Sequence, residues 1–148
     1  MTATGAGAVA RRFIWVGPAI VVASVIAVVI VQQIALRLLF WPRGSPLSGN
    51  EPAIFTAVLV SGAVVVFLAV LHEAANPVRT FRRIAFVALV VSVVPDIALG
   101  LSSIRWASWP LAITFIVMHA VAWAVTVAML TGLATSSTHR TFRTDSQP

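Results

Sequence analysis

Apolar residues fall in four long runs separated by short polar intervals: Phe13 to Leu36, Ala53 to Leu71, Ile84 to Leu101 and Leu111 to Leu133. Asp96 is the only formally charged side chain within them. Each run is near the ~20 residues that an α-helix rising ~1.5 Å per residue needs to cross ~30 Å of hydrocarbon. Backbone polar groups in lipid must be paired internally, and unbroken hydrophobicity does not fit the alternation of barrel strands. The pattern predicts an all-α, four-transmembrane-helix bundle in a polytopic membrane protein. Its spans are at about 13–36, 53–71, 84–101 and 111–133, within a membrane domain of residues 11–134. Residues 1–10 and 135–148 are small or Ser/Thr-rich and predict disordered ends on the cytoplasmic side.

The intervals carry their own punctuation. "WPRGSPLSGNEP" has the composition of an irregular loop, and "HEAANPVRT" predicts a helix end with Asn76 as its C-terminal cap and Pro77 as the stop. Arg11 and Arg12 before the first run raise the question of a signal peptide, but its apolar core exceeds the ~7 to 15 residues of a cleaved signal, so an anchor is expected. "ARRFIW" matches a twin-arginine export motif only loosely.

Composition agrees with the pattern. The 148 residues are 59% hydrophobic and 9% charged, with mean hydropathy +1.00, against about 25% charged in soluble domains. So small a globule has no interior large enough for that apolar surface. The absence of cysteine excludes disulfides, thiolate nucleophiles and Cys-ligated metal centres. All ten basic residues are Arg and lie mainly between the runs, which points to anionic headgroups of a lipid bilayer and away from nucleic acid.

Arginine placement also predicts orientation. Arg11, Arg12, Arg79, Arg82, Arg83, Arg140 and Arg143 make seven on one side, against three, Arg37, Arg43 and Arg105, on the other. The excess assigns both termini to the cytoplasm. Trp41, Trp106 and Trp109 then form an outer aromatic belt, with Trp15 in the inner one.

Candidate chemistry is sparse. "HEAAN", residues 72–76, lacks the second histidine of the H-E-x-x-H zinc motif, so His72 and Glu73 are expected to be interfacial and no metal site is assigned. Asp96 is the stronger candidate, because ionisable groups inside a span are costly, face the bundle interior and mark functional sites. Ser92, Asp96, Gly100 and Ser103 follow helical spacings of four, four and three, a small and polar stripe. Pro95 has no N–H to donate to Val91 and predicts a kink beside the carboxylate.

Ala112, His119, Ala122 and Thr126 share a face of the fourth run, and Gly17, Ser24 and Gln32 share one of the first. By helical rise Asp96 lies ~8 Å and His119 ~12 Å below the outer boundary, on consecutive and therefore neighbouring helices. The expected polar cluster is Asp96, His119, Gln32 and Ser92, with Arg37 or Arg105 snorkelling from the outer rim as possible ion-pair partners. Trp123, one turn after His119, is expected to pack. Ser61, Gly62 and Ala63 suggest close approach of the second helix to another.

Two functions suit such a cluster. It holds helices together at ~0.6 kcal/mol per interhelical hydrogen bond, or it serves a proton, ion or solute. The leading expectation is a non-enzymatic structural or accessory membrane subunit, without a cofactor, working alone, as a homo-oligomer or beside another membrane subunit. The alternative is a small transporter using Asp96 and His119. No nucleophile with a base, metal set or phosphate-cradling loop points to an enzyme.

"RRFIWVGP" opening the first span, "PVRTFRRIA" before the third, "SVVPDIAL" within it and "MHAVAWAVTVAMLTGL" in the fourth together resemble an uncharacterised bacterial family of four-span membrane proteins, a domain of unknown function. The resemblance covers most of residues 11–134, and Pro95-Asp96 and Met118-His119 are its most distinctive pieces. It implies a bacterial inner-membrane protein and brings no activity. Small multidrug exporters are also four-span proteins, but they use an acid in the first helix, where this chain has Gln32 and Gln33.

Overall fold

The structure, a computed structural model, describes residues 3–39, 46–103 and 107–144, and the side chains of 15–39, 46–103 and 107–132. Among these residues four helices make up the fold: α1 (Ala3–Leu38), α2 (Glu51–Glu73), α3 (Pro77–Leu101) and α4 (Trp109–Thr144), with a 3₁₀ turn at Pro46–Ser48 between the first two. No strand occurs among the described residues. Trp15–Leu38, Glu51–Glu73, Pro77–Leu101 and Trp109–Gly132 are long and apolar enough to cross a membrane, with mean hydropathies of 2.6, 2.8, 2.4 and 2.1. The chain is an all-α bundle with four such spans.

The helix starts differ from the sequence reading in one instructive place. Asn76 and Pro77 do not close α2, which ends at Glu73 with Ala74 as its cap; they open α3. Proline suits the first turn of a helix because the N–H it lacks would have no helical partner there. Thr80 N–H then donates to the Asn76 carbonyl at 3.0 Å. As a result Arg79, Arg82 and Arg83 ride on the first turns of α3 and do not lie in a loop. Their aliphatic stems can follow the helix while the guanidinium groups stay in polar surroundings. At the far ends, α1 and α4 take in residues 3–10 and 135–144, whose composition predicts disorder. Each residue added to an existing helix gains a hydrogen bond without repeating the cost of nucleation.

The connection Glu73 to Pro77 leaves α2 and α3 touching less than the other neighbours. α4 packs along both α1 and α3, and α2 lies chiefly on α1. Two apolar clusters fill the interior. One unites Ile20, Val60, Phe67, Phe81, Val127 and Leu130, drawn from the middle of α1, the middle and second half of α2, the start of α3 and the middle of α4. Within it the Phe67 and Phe81 rings meet edge to face, centroids 4.8 Å apart. The other joins Val28, Leu111 and Met118 around Leu47, a loop residue with no exposed surface. α3 is the most peripheral helix, and only Phe81 and Asp96 are buried on it. It runs as one helix through Pro95, which is exposed.

Glycine decides where helices can close up. A β-carbon on Gly100 would stand 3.0 Å from Trp109 Cε3 and 3.2 Å from Ala112 Cβ, so α3 and α4 meet there backbone to side chain. Ser61 and Gly62 do not mark such an approach within the chain. Ser61 is exposed and donates its hydroxyl to the Ala57 carbonyl at 2.7 Å, and nothing lies within 4 Å of a β-carbon on Gly62.

Overpacking at a tight crossing costs ~1–3 kcal/mol. Gly100→Leu is therefore expected to lower the thermal unfolding midpoint in detergent clearly, and Gly62→Leu to leave it near wild type. Equal midpoints would show that α3 and α4 part readily at Gly100.

Candidate functional site

Asp96 is 8% exposed on a helix whose other faces are open to the surroundings, so its burial is a property of its position. Gly100, one turn later, lets α4 come close enough for contact. His119 Nε2 then stands 3.3 Å from Asp96 Oδ2. The separation is that of an ion pair when His119 is protonated. The contact does not amount to a hydrogen bond, and Oδ2 is buried with none among the described residues. The two side chains differ in access, 11% exposed for Asp96 and 30% for His119.

The other residues expected in this cluster have different partners. Gln32 is buried on α1, and its Nε2 donates to the Leu47 carbonyl at 2.6 Å and the Gly49 carbonyl at 2.9 Å. A folded-in loop presents carbonyls that no helix ladder satisfies, and a primary amide has two donors to give them. Gln32 thus holds Leu47 in the bundle instead of meeting Asp96. Ser92 turns back on its own helix, donating to the Leu89 carbonyl at 2.8 Å. Arg37 is exposed in the last turn of α1. Arg105 lies outside the described residues, as do Arg43, Trp41 and Trp106 of the proposed outer rim. His72 and Glu73 are exposed where α2 ends, and among the described residues no three His, Asp or Glu side chains stand close enough to hold a metal ion.

Sequence reasoning placed Ser24 and Thr126 on inward faces without bringing them together. Their hydroxyls meet at 3.1 Å in a buried bond between α1 and α4. The signal was present in the two face assignments, and only the helix order around the bundle was missing. Trp123 packs against the core as expected, with a feature the sequence did not reveal: its indole Nε1 is buried with no hydrogen-bond partner among the described residues.

Trp123 and His119 both line a cavity of about 270 Å³. α4 forms the floor through these two with Ala122 and Val127, and α2 and α3 form the walls through Leu59, Ala63, Ile84 and Ala88 among others. The exposed lining residues, Leu59, Val66, Ile84 and Ala88, all belong to the walls, whereas the floor is buried or half-buried, so the cavity is a groove opening between α2 and α3. Of its remaining polar members, Ser92 and Thr126 are already engaged by Leu89 and Ser24. Compared with known proteins, the chain matches no family model, no curated protein and no solved structure.

Contact between Asp96 and His119 makes their contributions to stability interdependent. A double-mutant cycle of Asp96→Asn and His119→Gln, followed by unfolding in detergent, should depart from additivity by more than ~0.5 kcal/mol. Strictly additive losses would mean that each side chain is held by something else.

Proposed function

We propose that this chain is a non-enzymatic, multi-pass protein of a bacterial inner membrane, a structural or accessory subunit in which Asp96 and His119 clasp α3 to α4. The supporting observation is the character of the space beside the pair. The groove that reaches His119 is lined almost wholly by aliphatic and aromatic side chains, and its two hydroxyls are already bonded to protein groups. A hydrophilic solute, or a file of waters carrying protons, needs several polar partners in succession. A clasp needs only that the two groups meet out of lipid, and α3 has little else buried to hold it.

One observation favours a second reading, movement of a proton or small solute through the pair. Asp96 Oδ2 and Trp123 Nε1 are buried with no hydrogen bond among the described residues, and unsatisfied capacity of this kind is uncommon in a purely structural network. Liposomes loaded with a pH-sensitive dye separate the two. For a clasp, wild type and Asp96→Asn leak protons at the same background rate, and the variant loses ~0.5–2 kcal/mol of stability. For transport, wild type carries a flux that Asp96→Asn abolishes while the helical bundle remains folded.

The orientation proposed for the subunit has both termini in the cytoplasm, supported by the seven-to-three distribution of arginines. The chain lacks cysteine, so single introduced thiols report topology without background. An impermeant thiol reagent applied to intact cells should label Ser48→Cys and leave Ser137→Cys untouched. The opposite pattern would reverse the orientation.

A further inference from the structure

We propose that the groove between α2 and α3 is a binding site for an anionic phospholipid, with an acyl chain lying in the groove and the phosphate held by the arginines at the start of α3. The groove opens sideways, toward the surroundings of the bundle, and its walls are made of small and aliphatic residues such as Ala63, Ala85, Ala88, Leu59 and Ile84. On α3 it runs from Phe81 to Ser92, ~16 Å by the helical rise, so its shape is that of a chain and not of a compact head.

Charge at one end supplies the headgroup preference. Phe81 and Ile84 begin the α3 wall, and Arg82 and Arg83 lie between them in sequence, with Arg79 less than one turn earlier. All three arginines are exposed, and none is paired with an acidic side chain among the described residues. Glu73, at the end of α2, is the one acid in this region, and the first turn of α3 has none. Asn76 makes no side-chain capping bond, so the Val78 and Arg79 N–H groups add the positive end of the helix dipole to the same place. Arg82 sits at the edge of the groove by helical spacing from Ala85 and Leu89, which makes it the arginine that joins head to chain. A phosphate there with its chain directed toward Trp123 fits both halves of the site. A zwitterionic headgroup brings its own cation and gains less from the arginines.

Trp123 on the groove floor provides the test. In the full-length chain with Trp15, Trp41, Trp106 and Trp109 each replaced by Phe, Trp123 is the only indole, and bromine on an acyl chain quenches it on contact. The protein is reconstituted in phosphatidylcholine bilayers in which the same mole fraction of lipid is brominated, with either a phosphatidylglycerol or a phosphatidylcholine head. Brominated phosphatidylglycerol should quench at least about threefold more strongly. The preference should disappear in Arg79→Gln/Arg82→Gln/Arg83→Gln, and Ala88→Leu should reduce quenching by both lipids. Should the Trp replacements lower the yield of folded protein, the difference between wild type and Trp123→Phe isolates the same signal. Equal quenching by the two headgroups would overturn the proposal in favour of ordinary annular lipid, and so would a preference that survives loss of the arginines.

Discussion

Hydrocarbon offers no hydrogen-bond partner, so every polar group on a spanning segment must be satisfied by the protein or be left at a cost of several kcal/mol. The described side chains follow this constraint almost throughout. Thr56, Ser61, Thr114 and Thr131 donate to carbonyls four residues back on their own helices, which removes their hydroxyls from lipid at no cost in tertiary design. Ser24 and Thr126 use each other, and Gln32 uses the loop. Asp96 is the one acid within the four apolar runs, and its place against His119 follows from the same rule applied to the most expensive group.

Satisfying these groups also determines which helices hold together. Thr126 ties α4 to α1, His119 ties it to α3, and Leu111 and Met118 pack against Leu47, which Gln32 anchors from α1. α2 takes part in none of these polar links between helices. Its attachment is apolar, through Val60 and Phe67, and this is why the space between α2 and α3 stays open as a groove. Polar groups and shape thus divide the work: the former choose neighbours, and the latter fills the interior between them.

How much was legible depended on how local each property is. The four spans could be read directly, because length and hydrophobicity are properties of one segment, and Trp15 and Trp109 stand exposed at span ends. Faces could be read from spacing, which is why Ser24, Gln32, Asp96 and Thr126 are all buried where helical periodicity turns them inward. Partners were harder. A face assignment does not say which helix lies opposite or at what depth, so it groups Gln32 with Asp96, whereas the loop folded back at Leu47 supplies the acceptor. Asn76-Pro77 misled for a related reason. The same dipeptide that stops one helix is also well suited to start the next, and the charge of Arg79, Arg82 and Arg83 concealed the turns they belong to.

The histidine that faces Asp96 is carried by α4, which follows α3 in the chain. Synthesis proceeds from the N-terminus, so α3 leaves the ribosome before α4 exists, and the acid passes through a stage of biogenesis with its eventual companion still untranslated. α1 is in the same position, since Thr126 also arrives late. Assembly of the bundle therefore waits on the synthesis of α4. A chain interrupted before α4 would leave the Asp96 carboxyl group and the Ser24 hydroxyl without the companions that the bundle gives them, so the burial of both groups is a property of the assembled four helices and of no earlier stage.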